Sequence, residues 1–530
     1  MKADLTRRSF DPLKHFSRVL MQQGRVQLDA DWNEQADILL HLIRQLAVAT
    51  FGPSGSPDGG FVPSLLAGTT TDLELAPGTC YVDGILCELD AKPVPVTSWS
   101  GKTIVVQRWT VDASGWLAGQ HVRLSFDAGT SGSAPAPLVA AIVTADYATL
   151  TLTLDTDLST LTNVAAMRVQ HVVTYLTQPD LPSPPPLPTT APFQLYLDVW
   201  ERLATPLEDP SIRELALNGA DTADRTRVVC QVKCMRPDNW DGKTCLTPAQ
   251  IAIGVGVTNH GLLRACTTQP QTPTDPCTAS PSAGYRGVEN QLYRVEINTG
   301  SNDPSGNAPS FKWSRDNGSV VFPVLGVAVS GATTTVRLAN LGRDERFGLA
   351  EGDYVEVQDD ASVLNQLPGQ MLQIQSIDTG SLSVVLAGAL ASSAGSQPQL
   401  HPLMRRWDYQ AGDPAQGGLT LGKDGAALIV PGALSEGASA WLTLEDGIQI
   451  LFEGGSNVTW RCGDYWLIPA RVVTGDVIWP QEKVVDAQGN SVTNPAALPP
   501  DGVTHHYAPL AIQTGNAKVP FTYCITVKTL

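Results

Sequence analysis

Long uncharged runs are missing from this 530-residue chain. Nowhere do about 18 apolar residues follow one another, so no segment can cross a bilayer as a helix. The opening Met1-Lys2-Ala3-Asp4-Leu5-Thr6-Arg7-Arg8 is charged and lacks the apolar stretch of a secretory signal. Synthesis in the cytoplasm without a signal peptide is expected. Charge is scarce at 16% of residues, and positive charge scarcer still, with 35 Lys and Arg against 52 Asp and Glu, a net −17. Such a field repels phosphate backbones and anionic membrane surfaces, which argues against nucleic acid as a partner and against direct membrane insertion.

Catalytic signatures are missing too. There is no Gly-x-Ser-x-Gly elbow and no His-Glu-x-x-His, and Gly242-Lys243-Thr244 has Pro237 where a phosphate loop needs glycine. Asp198 and Glu201 stand at an odd spacing on an expected strand, which sends their carboxylates to opposite faces. His505 and His506 are adjacent and diverge in the same way, so one metal ion is not easily shared between them. Cys230, Cys234, Cys245, Cys266 and Cys277 form a cluster without the Cys-x-x-Cys knuckles of a zinc site, leaving bridges or buried thiols open. Nine cysteines in a chain this long do not read as a disulfide framework, and their odd number leaves at least one free or paired between chains. The expectation is a non-enzyme without cofactor or metal. Arginines beside acidic or aromatic neighbours, such as Arg294, Arg315, Arg405 and Arg406, read as ion pairs that fix loops.

What is present in quantity is Gly and Pro, 47 and 39 residues that punctuate short apolar runs. This pattern predicts a mainly β protein, built from β-sandwich and small β-barrel modules with one N-terminal amphipathic helix. That helix is expected over Asp29 to Ala49, where Trp32, Ala36, Leu39, Ile43 and Leu46 recur at steps of four and three, ended by Gly52-Pro53. The spacing suits a helix packed on its own body or a coiled-coil seam. In Cys80-Tyr81-Val82-Asp83-Gly84-Ile85-Leu86-Cys87 the Asp-Gly pair predicts a two-residue hairpin with Val82 opposite Ile85 and Cys80 opposite Cys87. Strands are also expected at Leu195 to Trp200, Leu292 to Ile297 and Trp441 to Leu444, and the Pro-rich 179–192 stretch reads as a stiff linker.

One regularity repeats at long range. Residues 102–154 resemble 334–386: Ile104 matches Val336, Gly119 matches Gly352, and Ile142, Asp146, Leu150 and Leu152 match Ile374, Asp378, Leu382 and Val384. The offset of 232 or 233 predicts two copies of one small barrel, chance alternation being the competing account. The expected organisation is an N-terminal arm and helix at 1–60 and a discontinuous β body at 61–100, 190–330 and 400–530. Barrels at 101–178 and 331–399 interrupt it.

The stretch Phe10-Asp11-Pro12-Leu13-Lys14-His15-Phe16-Ser17-Arg18-Val19-Leu20-Met21-Gln22-Gln23-Gly24-Arg25-Val26-Gln27-Leu28-Asp29-Ala30-Asp31-Trp32-Asn33-Glu34-Gln35 resembles the opening of a bacterial family of unknown function. Members of that family resemble components encoded with extracellular contractile injection systems, and the opening is similar to one in phage tail and baseplate proteins. Further blocks resemble the family at Tyr196 to Arg202, Glu289 to Ile297, Phe311 to Val320, Gly463 to Arg471 and His505 to Leu510. Many members continue into long C-terminal β regions that have no counterpart here, which weakens a receptor-binding reading.

The resemblance implies a structural or attachment component of a phage-tail-like particle, in its baseplate or peripheral spikes, cytoplasmic or released. Its partners would be other particle subunits, with a homo-oligomer in the assembly. The docking residues expected are Phe10, Phe16, Val19, Leu20, Gln23, Arg25, Leu28, Trp32, Asn33 and Leu39. An extended arm, a turn at Gln23-Gly24 and a helix offer a partner many contacts. The alternatives are a trimeric fibre-like adhesin and a particle-associated glycan or peptidoglycan hydrolase.

Overall fold

The computed structural model describes residues 1–67, 69, 71–107, 116–130, 133–256, 260–268, 284–342, 344, 346–391, 393–412, 418–434, 441–454, 458–485, 491–515 and 520–525. The fold is mainly β, with small six-stranded barrels and one long N-terminal helix, as the composition predicts. It divides into two compact units: residues 1–41, 201–227 and 256–504, and residues 42–200, 228–255 and 505–530.

The first unit is organised by a five-stranded antiparallel sheet in the order Ala427–Leu428, Ser310–Ser314, Gln291–Thr299, Tyr465–Arg471 and Asp476–Val477. Its central strand is buried along nearly its whole length, so both faces are covered. Alternation then sorts the side chains. Tyr293, Val295 and Ile297 join Phe311, Trp313, Phe452 and Trp466 in an aromatic core, and Arg294 and Glu296 fall into the intervening positions. The strand expected at Trp441 to Leu444 is shorter, Leu442–Thr443.

The second unit is built on the sheet Arg225–Met235, Phe193–Ala204, His506–Gln513 and Phe521–Tyr523. The predicted hairpin packs with it into one core. Val82 pairs with Ile85 and Cys80 with Cys87, the register derived from Asp83-Gly84. Both turn residues have positive φ, 48° and 76°, as the favoured two-residue hairpin turn requires. Gly84 has a second reason to be glycine: a Cβ there would lie 2.4 Å from the Arg44 carbonyl oxygen of the long helix. Cys80 and Cys87 are free thiols, whereas Cys245 bonds to Cys524, 279 residues away and outside the cysteine cluster considered above. Cys277 lies outside the described residues.

Among the described residues each unit holds one closed barrel. The first comprises Val94–Ser100, Thr103–Val106, His121–Ala128, Leu138–Asp146, Thr151–Leu154 and Val164–Val172. The second comprises Val321–Ser330, Thr333–Leu338, Tyr354–Gln358, Met371–Asp378, Ser383–Ala387 and Leu403–Trp407. Numbered within each barrel, the strands run 1-2-5-4-3-6 around both. Local details coincide. The Gly119 N–H donates to the Ile142 carbonyl at 2.8 Å, and the Gly352 N–H to that of Ile374 at 2.9 Å. Asp146 accepts from the Thr149 hydroxyl as Asp378 does from that of Ser381, and Leu150 and Leu382 both take positive φ. The barrels extend beyond 101–178 and 331–399 at their start, and the second also at its end. Their outermost strands do not keep the offset of the inner ones, so that spacing does not mark them.

Candidate functional site

The N-terminal arm begins inside the first unit. Lys2 Nζ lies 2.9 Å from Glu296 Oε1, and Arg294 Nε donates to Glu296 Oε2 at 2.6 Å. Lys312 Nζ pairs with Glu356 Oε2 at 2.8 Å, and Trp407 Nε1 donates to the same oxygen at 3.0 Å. Asn317 Nδ2 donates to the Met1 and Ala3 carbonyls at 3.1 and 2.7 Å. Burial pushes the Lys2 ammonium down to about 8 against the pull of Glu296, which is itself held well below the carboxylate range by Lys2, Arg294 and Lys312 in spite of its own burial. Neither carboxylate meets solvent, since Glu296 and Glu356 are both buried.

Farther along, the arm is tied to the helix that follows it. The Thr6 N–H donates to Asp29 Oδ2 at 2.9 Å, Ser9 Oγ to Glu34 Oε2 at 2.6 Å, and the Val19 N–H to Gln35 Oε1 at 2.8 Å. The Phe10 ring sits 5.7 Å from that of His41. Asp11 caps a short turn at Pro12–Lys14, and a second turn closes where the Arg25 N–H meets the Gln22 carbonyl at 3.3 Å, Gly24 having φ 70°.

Between and beyond these ties the apolar side chains face outward. Phe16 is 57% exposed, Leu20 69% and Val26 82%, with Leu28 also exposed. Gln23, Arg25 and Asn33 are exposed as well, whereas Phe10 and Val19 are half-buried. The helix spans Asp29–Phe51, close to the predicted range, and the Gly52 N–H returns to the Val48 carbonyl at 2.9 Å. Its orientation corrects one expectation. Trp32, 77% exposed, and Ala36, Leu39, Ile43 and Leu46 all face solvent. The buried side is the narrower one that carries Ala30 and Ile38. One small and one large apolar residue are thus buried on the inner side, and the bulky stripe is left outside.

The other residues singled out in the sequence fall elsewhere. His505 Nδ1 lies 2.6 Å from Asp198 Oδ1 and His506 Nδ1 2.9 Å from Asp83 Oδ2, so the adjacent histidines take separate carboxylates. Lys233 Nζ reaches the other Asp198 oxygen at 2.7 Å. Among the described residues no group of three or more His, Cys, Asp or Glu is placed to hold a metal ion. No helix there is long and apolar enough to cross a membrane. Arg315 pairs with Glu445 at 2.8 Å and Arg406 with Asp408 at 3.3 Å. The socket around Lys2 was not foreseen. Lys2 lies hundreds of residues from the other members, and the one local signal was charge at alternate positions of a strand otherwise as apolar as Leu292 to Ile297.

The model of a family described as "Family of unknown function (DUF6519)" matches residues 1–101, 188–247 and 256–527. The match takes in the arm, the helix and the whole second barrel, and leaves out most of the first. Comparison with curated proteins and with solved structures found no match. With most of its length matched, the chain belongs to the DUF6519 family of unknown function.

Proposed function

We propose that this protein is a structural, non-enzymatic attachment component of a phage-tail-like contractile injection particle, cytoplasmic or released, in its baseplate or peripheral spikes. It docks through the N-terminal segment. The observation that carries the reading is the band of exposed large apolar side chains from Phe16 to Leu46, on a segment whose first residues are anchored in the first unit. Exposed apolar surface of this extent marks an interaction site, because leaving it in water forgoes about 25 cal/mol per Å2 of burial. The likeness of Phe10 to Gln35 to the opening of phage tail and baseplate proteins supplies the kind of partner.

The test is co-sedimentation of tagged protein with sheathed particles from the native host. Wild type is expected in the particle fraction. A Phe16→Glu/Leu20→Glu variant is expected in the supernatant with an unchanged melting profile, because both side chains are exposed. Wild type absent from particles, or the variant retained on them, overturns the reading.

A further inference from the structure

We infer that the outward face of the Asp29–Phe51 helix is where further copies of this chain meet, at least three helices closing around one apolar seam. This rests on reading the N-terminal band as a protein-binding surface, and it names what covers the helical part of it.

Positions 32, 36, 39, 43, 46 and 50 advance by alternating steps of four and three, the a and d positions of a coiled coil, over the length of the helix. All six side chains are exposed. The residues beside this seam, at the e and g positions, are Asn33, Gln35, Leu40, Leu42, Ala47 and Ala49, with no charge among them. Beyond the first residue every charged side chain of the helix, Asp31, Glu34, Asp37 and Arg44, lies at a b, c or f position, away from the seam. In a chain of net charge −17 that segregation is what lets like copies approach. A partner recognised by charge would find nothing on this face to pair with.

The width of the stripe sets the number. Leu40 and Leu42 flank the a and d seam on opposite sides, and both are exposed. One partner helix covers a strict a and d seam and would leave at least one of these leucines in water; two or more neighbours cover both. Salt gives an independent sign. Association through an uncharged seam between acidic copies strengthens as salt screens their repulsion, whereas docking by opposite charges weakens.

Sedimentation velocity on the purified full chain tests this, at low and high salt. Wild type is expected at the mass of three or more copies, more fully assembled at high salt, and a Leu39→Asp/Ile43→Asp variant as a monomer with unchanged thermal unfolding. Should that variant fail to fold, Leu39→Ser/Leu46→Ser takes its place with the same expectation. A monomeric or dimeric wild type, or a folded variant with wild-type mass, overturns the inference. Co-sedimentation separates it from the docking reading: a monomeric wild type that still travels with particles removes the bundle alone, and an assembled wild type that does not removes the docking alone.

Discussion

At the scale of single residues, the socket that receives Lys2 is unbalanced. Among the described residues Lys2, Arg294, Lys312 and Arg405 act on one another around two carboxylates, Glu296 and Glu356, with Asp501 a third that acts on Arg294 alone of these four. Removing a carboxylate should therefore cost far more than removing a cation. Glu296→Gln leaves cations facing each other without a counter-charge and is expected to destabilise the first unit by roughly 3–5 kcal/mol. Lys2→Met relieves some of that excess and is expected to cost clearly less. Denaturant midpoints for the two variants check the order, and equal losses would show that the socket is not short of negative charge. Glu445 offers a pH test. Burial raises its carboxyl to about 7 from 4.5, although Arg315 and the Tyr293 hydroxyl pull it down. Between those values the folded chain keeps a proton that the unfolded chain has lost, so raising the pH favours unfolding in that window. Wild-type stability relative to Glu445→Gln should fall from about pH 4.5 to about 7 and then level off. Parallel curves for the two proteins would refute it.

At the scale of elements, the first barrel packs as a unit of its own: among the described residues its core draws on residues from Val94 to Val169, whereas Tyr354, Met371 and Trp407 of the second barrel also pack into the core of the five-stranded sheet. A fragment of residues 92–174 is expected to unfold cooperatively by itself, which circular dichroism on heating will show. The matched glycines give a finer comparison. Gly119 and Gly352 have φ of 88° and 98° with open space where a Cβ would stand, so alanine is opposed by backbone strain alone. Each Gly→Ala change should cost about 1–3 kcal/mol, and the two should agree closely in equilibrium unfolding. A large difference would mean that the two turns are held differently.

At the scale of the whole molecule, the arm is less separable than its sequence implies. Reading residues 1–49 as an appendage predicts that its removal leaves the body intact, yet Lys2 and Ala3 are part of the first unit. Truncation of residues 1–9 is expected to lower the unfolding midpoint measurably, whereas polar substitutions at Phe16, Leu20 and Val26 leave it in place and act only on attachment. A truncated protein as stable as wild type would return the arm to the role of a free tether. The family match adds a constraint, because it omits most of the first barrel and includes the second. The N-terminal segment and the second barrel thus both lie within the residues that the family model matches.

Short-range pattern sufficed wherever the physics is local. The Asp83-Gly84 turn dictated its hairpin register because two residues of positive φ leave one way to pair, and the long helix followed from its own periodicity. The barrel repeat was legible because alternation in a strand tolerates no slip of one residue without turning the core outward. Three features depended on tertiary structure. Which side of the helix packs inward is one: Ala30 and Ile38 are buried and Trp32 is left outside, a choice that the periodicity of the helix does not make. The Cys245–Cys524 bond and the Lys2 socket join residues 279 and 294 positions apart. Spacing along a chain carries no information about partners brought together only when the sheets close, and so the outward stripe and the anchored first residues of the arm were settled by the folded chain alone.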